Sequence, residues 1–444
     1  MVRKKLFQIC SNAVLVCLVA LPLAAQSYRV QCPAATAAHP RPRCMHLSGG
    51  DGFVTMADAG PDALPTYIFG FSSLCRKNGT NVCTGGGSSN SGTISPGVVT
   101  SLTGGGANAD RLLTDPAAIL TEGTLAANES APTIALDEDD DFYLTLSNVA
   151  MAMRPDLFDG HSVHWHGFAQ AASIFDGLPD ASIAVVPGSS ITYYYKAMDA
   201  GTYMYHCHVE AAEHMQMGML GSLYVRPRQN RTGAGPAVPR ARLAGNNNPS
   251  APLGYAYNDG DGSTRYDVEY AIQMAGFDPD FHTADLTFQS LPFSAMKDRY
   301  FLLNGRSYPE TTDSSATFRG TVAANGVEHK SQPIHSLITA QPNKRILLRI
   351  SNLSVTQFST LATLGIPMQV VGVDARLLRD EAGTNLSYKT NSVTIGGGQT
   401  VDVILDTAGL PVGGRYYLYN ANLNHLANDT TNFGGMATEI RITN

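Results

Sequence analysis

Charge is scarce in this 444-residue chain: 15% of its residues are charged, and 30 basic side chains face 37 acidic ones. No basic patch stands out, so binding a polyanion through counterion release is excluded as its main role. Beyond the N-terminus no apolar run is long enough to cross a bilayer as a helix. CxxC spacings are missing, which argues against a cysteine-built structural zinc site. What the chain has instead is 43% apolar residues, 43 glycines and 24 prolines, with many Thr, Tyr and Val. That composition favours turn-rich β-structure over helical bundles, and the length suits about two to three domains, each with its own core.

The N-terminus reads as an export signal. Arg3, Lys4 and Lys5 precede an apolar run from Ala13 to Ala25, with small residues at Ala24, Ala25 and Ser27 for cleavage. Residues 1–26 are expected to be a signal peptide and the protein periplasmic or secreted. Losing those three basic residues takes the net charge from −7 to −10 (−7 − 3). Of seven cysteines, Cys10 and Cys17 leave with the signal. Cys32, Cys44, Cys75 and Cys83 sit near the mature N-terminus, and proximity pairs them as 32–44 and 75–83 in an oxidising compartment. Cys207 is left over.

Residues 27–63 look irregular, and the stretch 76–110, rich in Gly, Ser, Thr and Asn, reads as a long loop. Period-two patterning marks strands at 141–149, 191–197, 202–209 and 219–225. Residues 229–264 lack apolar periodicity and read as an exposed linker between a unit at 64–228 and another at 265–444. The units repeat one another. DFYLTLSNVA aligns with KRILLRISNLS, VVPGSSITYYYKAMDAGTYMYHCH with IGGGQTVDVILDTAGLPVGGRYYLYNAN, and GMLGSLYV with GGMATEIRI. Two such units predict an all-β protein of two tandem Greek-key β-sandwich domains. They differ where chemistry would sit: His206-Cys207-His208 in the first stands against Asn420-Ala421-Asn422 in the second.

Six of the twelve histidines lie between positions 161 and 214, in HSVHWHG and HCHVEAAEHMQMGM. Strand alternation puts His164 and His166 on one face and Trp165 on the other. The same rule puts His206 and His208 on one face and turns Cys207 to the opposite one. Two metal centres can therefore share one strand. On the thiolate side, His161, Cys207, His214 and Met219 supply two imidazoles, a thiolate and a thioether, the donor set of a blue-copper electron-transfer site. On the other side, His164, His166, His206 and His208 are the candidate catalytic and metal-binding residues of a second centre. Hydrogen-bonded histidines at a strand edge explain a lone HxH, but poorly explain two pairs plus an ordered Cys–His–Met run. Met215 and Met217 read as packing, with a thioether entry path for copper as the alternative. Glu210 and Glu213 read as loop carboxylates or as groups that orient ligand histidines or bind a substrate cation. Asp176 reads as a turn residue or a proton relay, and the acidic run 137–141 as a solvated strand entry.

HSVHWHG followed by GTYMYHCH…H…GM resembles the multicopper oxidases of the cupredoxin superfamily, a group that includes laccases and copper nitrite reductases. The likeness covers 64–228 well, and LNGRSYP and LGIPMQVVGVDA extend it into a second domain without copper ligands. The resemblance implies two cupredoxin-like domains and copper as cofactor. It implies His161, Cys207, His214 and Met219 as type 1 ligands, His164 at a type 2 position, and His166, His206 and His208 at type 3 positions. The implied reaction takes single electrons from a donor (a phenol, a metal ion or a small redox protein) at the type 1 copper. They pass through the His-Cys-His strand to type 2/type 3 copper, where dioxygen is reduced to water.

Two features depart from the pattern. Cys207 and His214 are seven residues apart, longer than in laccases and shorter than in nitrite reductases. A full trinuclear cluster draws HxH pairs from two domains, yet the second unit offers only His282, His329, His335 and His425, none in HxH. That deficit predicts a homo-oligomer. Either first domains of two chains face each other around one cluster, or a head-to-tail trimer brings His425 or His335 to a type 2 site. The alternatives are a nitrite reductase-like enzyme with type 1 and type 2 copper, and a copper-carrying electron-transfer protein.

Overall fold

The structure is a computed structural model and describes residues 28–57, 65–74, 98–100, 102–103, 112–168, 172–232, 254–315, 320–322 and 328–444. The expected signal peptide and the Cys75–Cys83 pair lie outside the described residues. Two β-sandwiches follow one another along the chain. Alternation sends Phe142, Leu144 and Leu146 of the strand Asp141–Asn148 into the first core. Its sheet runs Thr66–Ser73, Pro42–Val54, Asp141–Asn148, Ser190–Lys196. The facing sheet runs Val98–Thr100, Ala131–Asp137, Leu220–Arg226, Gly201–His206, His164–His166.

The second sandwich repeats this scheme. Tyr300–Leu303, Val268–Phe277, Arg345–Asn352, Thr400–Asp406 and Met368–Val373 face Ile338–Ala340, Ala437–Ile442, Arg415–Asn420, Ser359–Leu364 and Ser392–Ile395. In each unit the strand ending in Ser-Asn pairs parallel with one neighbour and antiparallel with the other. The Asn at its end is a turn brace in both. Asn148 Oδ1 accepts from Ala150 N and Asn352 Oδ1 from Ser354 N, each at 2.9 Å. The sequence repeat is a structural repeat.

Several expectations need correction. Within 27–63, Pro42–Val54 is a long strand, buried along most of its length. Its glycines read as a loop because they carry no side-chain pattern, but they are there for close approach. A Cβ at Gly49 would stand 2.9 Å from His161 Cδ2, at Gly50 2.8 Å from Val149 Cγ2, and at Gly52 3.0 Å from Ala127 Cβ. Within 76–110, Val98–Thr100 and Leu102–Thr103 are strands, and the rest lies outside the described residues. The stretch 229–264 is not an exposed linker throughout. Gln229–Thr232 is helical, and Tyr255 and Tyr257 are buried, with Tyr255 N donating to Asn230 Oδ1 at 2.8 Å. The acidic run is solvated only in part: Asp137 and Asp139 are half-buried, while Asp140 and Asp141 are buried, 2.7 Å from Arg41 and 3.2 Å from Lys196 respectively. Cys32 and Cys44 form the expected disulfide, and Cys207 is a buried free cysteine.

The sandwiches meet through an apolar layer, Ile68, Met204 and Leu220 against Ala275, Phe277, Leu302 and Leu353. Beside it lies a buried polar knot. Arg349 is fully buried, donates to Glu269 Oε2 at 3.1 Å and lies 3.8 Å from Asp402. Arg226 of the first domain shares Glu269, and Thr202 donates to Asp402. Thr202 belongs to the strand that ends at His206, so the knot ties the second domain to the functional strand.

Candidate metal centres

His161 is set by a two-way backbone bridge, its N–H donating to Val185 O at 3.0 Å and its carbonyl accepting from Val185 N at 2.7 Å. Asn148 steadies the same loops, donating to Asp159 O and Val185 O at 2.7 Å each. Cys207 follows the strand Gly201–His206, and its N–H donates to Met219 O at 3.1 Å. His214 lies on the short helix Ala211–Gln216, its Nδ1 3.2 Å from Cys207 Sγ. The ligand atoms of His161, Cys207 and His214 lie within 4.8 Å of one another, and all three residues are buried. Met219 closes the group from the Gly49 side, since the Cβ that would meet His161 would also stand 3.4 Å from Met219 Cε.

The electrostatics suit a metal. Burial lowers the His161 pKa well below its usual value and that of His214 to about 4, so both imidazoles are neutral with free lone pairs. Burial pushes the Cys207 thiol up to about 11, so thiolate formation there is coupled to metal binding. Both ring nitrogens of His161 are buried without a hydrogen-bond partner. Orphaned polar atoms of this kind cost roughly 1–3 kcal/mol each unless something binds them. A soft two-imidazole, thiolate and thioether set fits copper.

On the opposite face of the same residues a second group forms. Ligand nitrogens of His164, His166 and His206 lie within 4.8 Å of one another. His208 joins them, its ring centroid 5.1 Å from that of His164 and 5.5 Å from that of His206. His164 Nδ1 donates to Asp176 O at 2.6 Å and His206 Nδ1 to Cys207 O at 2.8 Å, which leaves each Nε2 unprotonated as the atom to bind a metal, that of His206 3.5 Å from His166 Nδ1. Asp176 thus contributes through its carbonyl, while its carboxylate stands 3.8 Å from the same ring nitrogen. Trp165, between the two histidines, is buried in the first core.

The four histidines line a cavity of about 750 Å³ whose far wall is second-domain chain, Leu353–Phe358 and Gly396–Gln399. Within one chain, the histidines therefore face their own second domain. The register explains what that domain lacks. His164 pairs with His206 in the first unit and Leu361 with Asn420 in the second, so apolar and amide side chains replace the imidazoles. His425 is buried in its own domain, stacks on Phe301 at 3.9 Å and places Nε2 3.0 Å from Asn422 Nδ2. His282 is also buried, and the side chain of His329 lies outside the described residues. Sequence reasoning missed Gly49, whose only signal was a glycine cluster that read as loop. Gly49→Ala is expected to displace His161 or Met219 and shift the visible spectrum of the copper-loaded protein, with the far-ultraviolet circular dichroism unchanged. An unaltered spectrum would show that Gly49 does not shape the site.

Comparison with known proteins places this arrangement in a family. Multicopper oxidase domain profiles match residues 120–230 and 291–439, together more than half of the chain. Laccase 1 of Metarhizium guizhouense is 35% identical over 105 residues, 23% of this chain and 16% of that protein. Multicopper oxidase MCE of Talaromyces pinophilus is 36% identical over 101 residues, 22% of this chain and 15% of its own length. The matches thus span about a sixth of those relatives. Blue copper oxidase from Nitrosomonas europaea shares the fold with a TM-score of 0.56 at 20% identity, covering 90% of this chain and 86% of that one. Copper nitrite reductase from the same organism gives 0.51 at 16% identity, covering 91% and 94%. The sandwiches are those of copper proteins with cupredoxin-like domains. The chain belongs to the multicopper oxidase family, whose metal is copper.

Proposed function

We propose that this chain is a copper-dependent oxidase that takes single electrons from a donor and reduces dioxygen to water. His161, Cys207, His214 and Met219 would hold a type 1 copper, and His164, His166, His206 and His208 type 2/type 3 copper. The observation that carries the reading is the juxtaposition itself: a buried thiolate set and a four-imidazole pocket on opposite faces of three consecutive residues. Copper bound there supplies one-electron chemistry at the first site and dioxygen chemistry at the second. The chain supplies the rest. Cys207 is joined to His206 and His208 by single peptide bonds, and its carbonyl holds the His206 ring. Burial of the first set excludes water and limits rearrangement.

Among donors, Asp159 and the exposed Glu210 favour a metal ion over a phenol or a small redox protein, because Asp159 Oδ2 lies 3.9 Å from His214 Nε2. Export, with residues 1–26 removed, accords with the Cys32–Cys44 disulfide. Among the described residues no helix is long and apolar enough to cross a membrane. Among the described residues the second site has only first-domain histidines, so we expect a single chain to hold part of a type 2/type 3 cluster rather than all three coppers. Copper counting with absorption and electron paramagnetic resonance tests this. The expected result is one blue copper plus one or two further coppers per chain, with dioxygen consumption. One blue copper alone would make the protein an electron carrier, and turnover of nitrite without dioxygen would make it a nitrite reductase-like enzyme.

A further inference from the structure

The segment that carries His214 and Met219 is covered by the second domain, and the cover is specific. Helix Pro279–Leu286 begins at Asp278, whose side chain accepts from Asp280 N, with proline in its first turn. From this helix Phe281 inserts, fully buried, into the first-domain core with Met217, Met219 and Phe69. His282 is fully buried, stacks on Phe277 at 3.8 Å, and places Nδ1 2.6 Å from Tyr67 O and Nε2 3.0 Å from Gln216 O. Burial lowers its pKa to about 4, so at neutral pH the ring carries one proton and donates to one of these carbonyls. Asp285, from the same helix, accepts from Arg154 Nη1 at 3.0 Å, and after burial its charge is what most raises the pKa of the Glu213 carboxyl. Asp298 then accepts from Gln216 Nε2 at 3.3 Å and from Thr356 in the wall of the histidine cavity. Gln216 and Met217, which lie between the two donor residues, are thus held by second-domain side chains.

We propose that the helix Pro279–Leu286, with Asp298, is a clamp that positions the 211–219 segment, and that His282 is its main positioning residue. The consequence for the metal rests on reading His214 and Met219 as copper ligands. A seven-residue Cys–His spacing leaves the ligand segment more freedom than a short loop has. External bonds remove that freedom before metal arrives, which is the physical content of a pre-organised site. Because the weak axial sulfur tunes a blue-copper potential, anything that moves Met219 is expected to move the potential.

The test uses the full chain with and without copper. His282→Leu removes the ring's hydrogen bonds, and His282→Gln restores an amide donor. In the metal-free His282→Leu protein, amide hydrogen exchange across 211–219 is expected to rise about tenfold, the worth of roughly one buried hydrogen bond. Exchange across 141–148 stays unchanged. Copper-loaded His282→Leu should show a shifted reduction potential and altered copper hyperfine splitting, with His282→Gln between it and the parent. Phe281→Leu, a gentler change, should loosen the same segment and serves if His282→Leu does not fold. Unchanged exchange in the leucine variants overturns the clamp. Faster exchange with no change in potential overturns its link to the metal. A parent protein that binds no blue copper refutes the copper-ligand reading and leaves the exchange result to judge the clamp.

Discussion

Cys207→Ser is expected to abolish the intense visible absorption of the copper-loaded protein and to reduce oxidase turnover to background. A hydroxyl is nearly the same size as the thiol but is a hard, weak donor toward copper. The fold should survive, because Sγ makes only weak contacts, among them a 3.4 Å approach from Ser162 N. Copper binding by His164, His166, His206 and His208 should survive too, since those rings lie on the other face. The variant therefore separates the two centres: copper retained, colour and electron entry lost. Metal analysis, absorption and dioxygen uptake on the same sample check it. A variant that stays blue or active would show that Cys207 is not the thiolate ligand.

Arg349→Met should be the most damaging single change away from the metal centres, costing about 3–5 kcal/mol as expected for breaking a buried ion pair. The guanidinium is fully buried between Glu269 and Asp402, and its removal leaves two buried carboxylates short of a partner. Arg226 still serves Glu269, and Thr202 and Tyr257 still donate to Asp402, so the loss is partial rather than total. Denaturant titration reads the cost. Adding Glu269→Gln to Arg349→Met should return part of it, because neutralising the stranded acid removes its desolvation penalty. A single-variant cost under about 1 kcal/mol would mean that the knot is not held by charge.

The parts of the fold visible in the sequence were those in which one strand face meets a core. DFYLTLSNV alternates because Phe142, Leu144 and Leu146 face inward, and the repeat carried that pattern into the second unit. HSVHWHG and HCH were readable for the same reason, since period two separates Trp165 and Cys207 from their histidine neighbours. The strand Pro42–Val54 was not readable. It is buried almost throughout, and glycines take the places where His161, Val149 and Ala127 press on it. The clamp was equally hidden. His282 and Asp285 are polar yet buried, satisfied by carbonyls and an arginine far away in sequence, and no local periodicity encodes such partners. The wall of the histidine cavity shows the opposite case, a loop of ordinary composition made important by what it faces.

Because the histidines and that wall belong to one chain, their meeting is an intramolecular event. Its effective concentration is set by the tether between the halves and by the interface they share, and does not depend on how many molecules are present. A pocket assembled between subunits would come apart on dilution, whereas this one keeps its two sides together in a single isolated molecule. Copper held by the four histidines should accordingly stay enclosed on both sides down to the nanomolar range, whatever the number of chains in the assembly.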